Sequence, residues 1–120
     1  MKAVVATLLC CGALGLTAHS GGRLTMKVTP PVGVAPAMLT VRTVIETSPD
    51  NRYLEVVAES ADYVRSSQVS LDGDRSPRTR EWVFNGLPVG RYLITATLAG
   101  ERGQLASTTQ WFQATGTIGR

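Results

Sequence analysis

The segment from Trp82 to Leu98, WVFNGLPVGRYLITATL, constrains the fold of this chain more than any other part of the sequence. Apolar and polar residues alternate on both sides of a short joint, Leu87–Tyr92. Period-two alternation is typical of a half-buried β-strand. Proline at position 88 ends a strand because it fixes φ and has no amide to donate to a sheet. The segment therefore predicts two β-strands joined by a tight corner.

Four residues of this corner have separate expected roles. Leu87 is expected to fill the end of the core, Pro88 to end the first strand, and Gly90 to permit a backbone angle that other residues resist. Tyr92 brings an apolar ring and a hydroxyl into the next strand. In sandwich domains a tyrosine at such a place often hydrogen-bonds to the backbone near the corner. The four side chains are therefore expected to act in stability.

The stretch Phe84–Ala96 resembles the F-x-x-L-P-x-G-x-Y-x-V-x-A strand pair of bacterial immunoglobulin-like, fibronectin type III-like and carboxypeptidase-regulatory-like domains. The third group usually begins with a Gly- and Asp-rich hairpin, which Thr25–Val34 lacks, so the resemblance favours the first two groups. It implies a β-sandwich that serves as a stalk, spacer, adhesion module or accessory domain. It carries over no catalytic residue.

Short alternating segments with turn signals between them recur along the rest of the chain. Seven short strands in about 90 residues predict an all-β, seven-stranded antiparallel immunoglobulin-like sandwich. Pro30–Pro36 is expected to lack regular structure because proline cannot donate to a β-ladder. The predicted strands are Leu24–Val28, Met38–Glu46, Arg52–Glu59, Val64–Leu71, Arg80–Phe84, Tyr92–Leu98 and Gln104–Gln113.

The first twenty residues have the pattern of a secretory signal peptide. Lys2 precedes the apolar and small stretch Ala3–Thr17, and Ala18 and Ser20 provide small residues for a cleavage site. The apolar run is shorter than the roughly 20 residues that a membrane helix needs. We therefore expect a signal peptide at 1–20, a sandwich at 21–113 and a flexible tail at 114–120. The mature protein is expected to be periplasmic or secreted, without a membrane span.

Cysteine and histidine occur only in the predicted signal peptide, at Cys10, Cys11 and His19. A chain cleaved near Gly21 therefore lacks disulfides, Cys-His or Ser-His nucleophile systems, and zinc sites of the usual type. Neither cysteine matches a lipoprotein box well, so lipidation is the lesser alternative to cleavage. The sequence predicts no catalytic residue, no metal and no cofactor, and the protein is not expected to be an enzyme.

Two loop features carry candidate binding chemistry. Arg75, Arg78 and Arg80 flank a proline, and they either grip a phosphate, a carboxylate or an anionic glycan, or form a solvated loop beside acidic neighbours. Asp72 and Asp74 either contribute to a calcium site or form an ordinary Asp-Gly turn. The net charge of +3 is dispersed along the chain, which predicts a soluble surface and no nucleic-acid partner.

The last predicted strand carries the other two candidates. Trp111 and Phe112 point in opposite directions, so one of them is expected to be exposed and available to stack on a sugar or another ligand. Trp82 is instead expected in the core beside Phe84. Gln104–Gln113 is rich in Ser and Thr, which suggests an edge strand able to accept a strand from a partner.

Together these observations predict an exported, non-catalytic β-sandwich module with a structural or protein-interaction role in the cell envelope or outside it. Its expected partner is another envelope or extracellular protein. The alternative is a carbohydrate-binding or accessory module of a secreted enzyme system. The oligomeric state is left open.

Overall fold

The computed structural model describes residues 23–116 of the 120-residue chain. The predicted signal peptide, residues 1–20, and residues 117–120 of the predicted tail lie outside the described residues. No helix in the described part has the length and apolar character needed to cross a bilayer.

The described residues form an all-β structure, as the alternation predicts. Eight strands are present in this part of the chain, with one short 3-10 helix, Gly73–Arg75, between the fifth and sixth strands. The strands are β1 Leu24–Thr29, β2 Val32–Val34, β3 Ala37–Ile45, β4 Tyr53–Glu59, β5 Val64–Ser70, β6 Thr79–Leu87, β7 Gly90–Gly100 and β8 Gly103–Thr115.

The predicted count of seven strands is wrong because β2 lies inside Pro30–Pro36, which was expected to lack regular structure. β2 has three residues, and prolines precede and follow it without interrupting it. It pairs with β8 in parallel, with Val32 opposite Gln113 and Val34 opposite Thr115. Proline is tolerated here because β2 is at the edge of its sheet. On the open side of an edge strand no neighbouring strand needs an amide donor, so the missing proline N–H breaks no hydrogen bond.

The strands form two sheets. The first has three strands in the order β1-β3-β6, and the second has five in the order β2-β8-β7-β4-β5. Every pair except β2–β8 is antiparallel, so the second sheet is mixed. β8 continues to Thr115, and Ala114, at the expected start of the tail, is fully buried.

The core lies between the two sheets and is built from the alternating faces of the long strands. Along these strands every second residue is buried and the residues between are more exposed. The buried residues of these faces include Leu39, Val41, Thr43, Ile45, Leu54, Val56, Ala58, Trp82, Phe84, Tyr92, Ile94, Ala96 and Leu98.

One buried polar pair explains why a threonine and an indole N–H are tolerated in this core. Trp82 Nε1 donates a hydrogen bond to Thr43 Oγ1 at 3.1 Å, and the threonine hydroxyl donates to the Arg80 carbonyl at 3.5 Å. A buried donor without a partner costs about 1–3 kcal/mol, so the pair lets Trp82 lie in the core.

The corner between β6 and β7 is closed by Tyr92. Its hydroxyl donates to the Pro88 carbonyl at 2.8 Å, and its ring is fully buried between Tyr63 and Phe112, with ring centroids 6.3 and 6.2 Å away. Leu87 is also fully buried. Tyr92 therefore stabilises the corner in two ways: its hydroxyl bonds to the backbone, and its ring packs at the end of the core.

The unusual backbone angle expected at Gly90 is present, with φ of 159°. Gly86, four residues earlier, also has a positive φ, of 70°. The side chains of Ser60 and Tyr92 lie 3.5 and 3.6 Å from where a Cβ on Gly90 would be. Gly90 is therefore a place of close packing at the corner.

Replacing Tyr92 with Phe should lower the free energy of unfolding by about 1 kcal/mol, because the Pro88 carbonyl loses its donor while the ring is kept. Urea denaturation followed by tryptophan fluorescence measures this change. Tyr53→Phe, on the exposed outer face of the same sheet, is the matched control and should change stability little. Equal effects of the two substitutions would contradict a role for the corner hydrogen bond.

The same variant isolates a pH effect. Burial raises the pKa of the Tyr92 phenol above its ordinary value of 10.0, although a hydrogen bond with Ser60 opposes this. The native state therefore holds the phenolic proton more tightly than the unfolded chain. The stability advantage of wild type over Tyr92→Phe should be constant below about pH 10 and fall above it. An advantage that grows above pH 10 would contradict this.

Candidate functional site

The three candidate arginines are held in different ways. Arg75 ends the 3-10 helix and is exposed, while Arg78 Nε donates to the Ile45 carbonyl of β3 at 3.5 Å. Arg80 lies in β6 on the same face as Trp82, and its Nε is buried with no hydrogen-bond partner among residues 23–116. Arg78 is thus directed to the neighbouring strand, whereas Arg75 is exposed.

The acidic loop is tied to a second loop by the backbone. Gly73 has φ of 56° and its amide donates to the Asn51 carbonyl at 3.1 Å, while the Asp72 amide donates to Ser76 Oγ. Asn51 is fully buried and its Nδ2 donates to the Glu46 carbonyl at 3.0 Å. Within the described ranges, no three His, Cys, Asp or Glu side chains gather as a metal site would require. The geometry is that of a turn that joins two loops.

The two aromatic residues at the end of β8 separate as the alternation requires. Phe112 is 1% exposed and packs in the core, whereas Trp111 is 51% exposed on the outer face of the five-stranded sheet. Leu93 lies directly opposite Trp111 in the register, and the Arg91 guanidinium lies 4.1 Å from the centroid of the indole ring. This cation–π contact orients the indole and leaves much of it open to solvent.

Several exposed apolar side chains lie at the same end of the five-stranded sheet as Trp111: the register sets Val32 opposite Gln113 and Val34 opposite Thr115, two and four residues along β8 from Trp111. Val32 and Val34 flank Gly33, which faces Phe112 in the core, so the two valines point outward. Val89, in the corner, lies close to Gly116: its side chain is 3.8 Å from where a Cβ on Gly116 would be. Gly116 directly follows Thr115, the residue that pairs with Val34. Val32, Val34, Val89 and Trp111, each more than half exposed, are called here the apolar end cluster.

The sequence did not identify this cluster, because Val32 and Val34 lie in the segment expected to lack structure. The only available signal was their alternation with Gly33 between prolines. Exposed apolar groups that are contiguous on a surface often mark an interaction site, whereas single ones are ordinary. The parallel pairing of β2 with β8 is what brings the valines to the end of the sheet that carries Trp111, beside Gln113 and Thr115.

The predicted edge strand, Gln104–Gln113, lies in β8, which pairs with β7 along its length. The register pairs β2 only with the last residues of β8, from Gln113 to Thr115. Thr108 is buried and faces the core, so it is unsuited to an exposed contact. β2 ends the five-stranded sheet on one side and β5 ends it on the other. β5 contains none of the candidate residues Arg75, Arg78, Arg80 and Trp111.

A shallow cleft of about 350 Å³ lies at the opposite end of β8 from the apolar end cluster. Arg52 and Glu101 form an ion pair there at 3.6 Å, and Arg52 also donates to the Pro49 carbonyl at 2.7 Å. Exposed ion pairs of this kind contribute about 0–1 kcal/mol to stability. The cleft is lined by Asp50, Arg52, Gly100, Glu101, Arg102 and Leu105.

No protein-family model and no curated protein matches the chain. Among solved structures, the chain is similar to the superoxide reductase (neelaredoxin) from Ignicoccus hospitalis, with a TM-score of 0.61 and 10% identity over 76% of this chain and 79% of that one. It is also similar to a family 76 glycoside hydrolase from a bovine Bacteroides thetaiotaomicron strain. There the TM-score is 0.53 and the identity 14%, over 82% of this chain and 21% of that one. At these identities the similarity shows a shared β-sandwich architecture and carries no activity to this chain.

Two glycines test whether the acidic loop is held against its neighbour. Gly73→Ala and Gly86→Ala each place a Cβ on a left-handed residue, which costs roughly 1–2 kcal/mol. A Cβ on Gly73 would also lie 3.2 Å from the Pro49 carbonyl oxygen, whereas a Cβ on Gly86 meets nothing within 4 Å. Gly73→Ala should therefore lower the melting temperature more than Gly86→Ala. Equal losses in a thermal scan would show that the loops do not pack as described.

Proposed function

We propose that this chain is an exported, non-catalytic β-sandwich module of immunoglobulin-like topology, with a structural or protein-interaction role in the cell envelope or outside it. The observation that carries the proposal is the apolar end cluster. An apolar surface on a small sandwich is costly to leave in water, so a partner with matching apolar side chains is its natural use.

The strand order supports the immunoglobulin-like part of the proposal. Three strands face a larger sheet, and the corner between β6 and β7 carries a buried tyrosine bonded to the backbone four residues upstream. Such a tyrosine corner is a recurring feature of immunoglobulin-like sandwiches.

The chemistry of the side chains supports a non-catalytic role. Burial raises the pKa of the Tyr92 phenol, and its hydroxyl is committed to the Pro88 carbonyl. Displaced pKa values usually gather where an enzyme transfers protons. Here the displaced group belongs to the fold.

Chemical cross-linking to envelope proteins, followed by mass spectrometry, tests the protein-interaction role. Val34→Thr and Trp111→Ala should each reduce cross-linking to a given partner at least tenfold, because each removes apolar contact from the cluster. Met38→Thr is the matched control, since Met38 is 56% exposed on the three-stranded sheet and Val34 is 61% exposed. Equal cross-linking by all four proteins would contradict the proposed surface.

The exposed Trp111 also favours a second candidate, binding of a polysaccharide. The apolar face of a sugar ring stacks on an indole, and Arg91 and Gln113 lie beside it to donate hydrogen bonds. Affinity electrophoresis in gels that contain envelope or plant polysaccharides tests this. Loss of retardation in Trp111→Ala, with retention in Val34→Thr, would favour the sugar. A protein that no polysaccharide retards would leave only the protein-interaction role.

Export is tested by the intact mass of the protein purified from cells that express all 120 residues. Cleavage near Gly21 should remove residues 1–20 and place the protein in the periplasmic or extracellular fraction. A full-length mass in the cytoplasmic fraction would contradict this part of the proposal.

A further inference from the structure

β5, Val64–Ser70, ends the five-stranded sheet in the described part of the chain and is open on both faces. On β4, Ala58 and Val56 are fully buried. Their partners on β5, Arg65 and Ser67, are exposed. The three-stranded sheet therefore covers β4 and stops short of β5. Along β5 only Val69 is partly buried.

The free side of β5 presents a regular row of backbone hydrogen-bonding groups. The Leu71 amide donates to the Arg52 carbonyl at 2.7 Å, and the Tyr63 carbonyl accepts from the Ser60 amide at 2.8 Å, so these odd-numbered residues turn toward the β4 side. Backbone groups alternate sides along a strand. The amides and carbonyls of the even-numbered residues therefore point away from the sheet. These residues are Val64, Ser66, Gln68 and Ser70.

β5 lacks the features that usually protect an edge strand from pairing. Natural edges are commonly protected by lysine, proline or a bulge. β5 contains no lysine or proline, and its register with β4 is continuous over all seven residues. Its one charged side chain, Arg65, donates to the Asn85 carbonyl of β6 at 2.9 Å and to the Tyr63 hydroxyl at 3.3 Å. The Arg65 guanidinium is therefore hydrogen-bonded within its own chain and does not extend past the free edge.

We propose that β5 is a dimerisation edge that pairs antiparallel with β5 of a second copy of the chain, about a two-fold axis at Ser67. This register sets Ser66 opposite Gln68 of the second copy, and Val64 opposite Ser70 of the second copy. Each such pair joins two even-numbered residues, whose backbone groups face the partner, so the hydrogen-bonding parity of an antiparallel ladder is met. The two five-stranded sheets become one continuous sheet.

The side chains of β5 fit a copy of themselves. Arg65 faces Val69 of the second copy, and the two arginines lie at opposite ends of the paired strands, so no like charges meet. A two-fold interface needs such self-complementarity, because each residue must suit its own symmetry mate. The edge lies across the sheet from β2, so this inference is independent of the apolar end cluster and its proposed partner.

Sedimentation equilibrium of the protein purified from cells expressing the full chain tests the proposal. The wild type should show a concentration-dependent monomer–dimer equilibrium. Gln68→Pro removes an outward amide without removing a bond to β4, and should weaken dimerisation at least tenfold, whereas Gln68→Ala keeps the amide and should dimerise like wild type. Circular dichroism and thermal unfolding should show both variants folded. A wild type that stays monomeric at the highest soluble concentration would overturn the proposal.

A pair of double variants tests the register itself. Ser66→Lys with Gln68→Lys sets lysine against lysine across the axis and should weaken the dimer at least tenfold. Ser66→Glu with Gln68→Lys sets glutamate against lysine and should strengthen it, with added salt reducing the difference. The two proteins differ only at residue 66, on an exposed face. Equal dimerisation of both, or binding of another protein's strand to a monomer at β5, would overturn the proposed pairing.

Discussion

Tyr92 stabilises the corner where the chain passes from β6 in the three-stranded sheet to β7 in the five-stranded sheet. Its hydroxyl bonds to the Pro88 carbonyl while its ring packs against Tyr63 and Phe112, so one side chain fixes the turn and fills the core. β7, which begins there, pairs with β4 on one side and β8 on the other. β7 is therefore the central strand of the larger sheet.

The unequal size of the two sheets has consequences for the surface. Three strands cannot cover five, so β5 remains open on both faces and along its edge. At the other edge, β2 adds two exposed valines to the end of the sheet that carries Trp111. The two features lie on opposite edges of one sheet, so a partner at the cluster and a second copy at β5 do not compete for the same residues.

The long strands could be predicted because their inward residues alternate without interruption. β3, β4 and β7 each bury every second residue over most of their length, which is a local property visible in the sequence. β2 was missed because its prolines argue against a ladder, and only its position at the sheet edge removes that objection. Likewise, alternation requires Trp111 and Phe112 to face apart, but which of them faces the core depends on where the other sheet lies.

By itself, the sequence determined that this chain forms a β-sheet structure with a tight corner at Leu87–Tyr92, because strand alternation and turn chemistry act between near neighbours. The tertiary structure decided that Arg78 is bonded to β3, that the acidic loop is a turn against Asn51, and that β2 and β5 end the larger sheet. Those facts depend on contacts between residues far apart in the chain. The pattern of one strand does not specify what lies beside it.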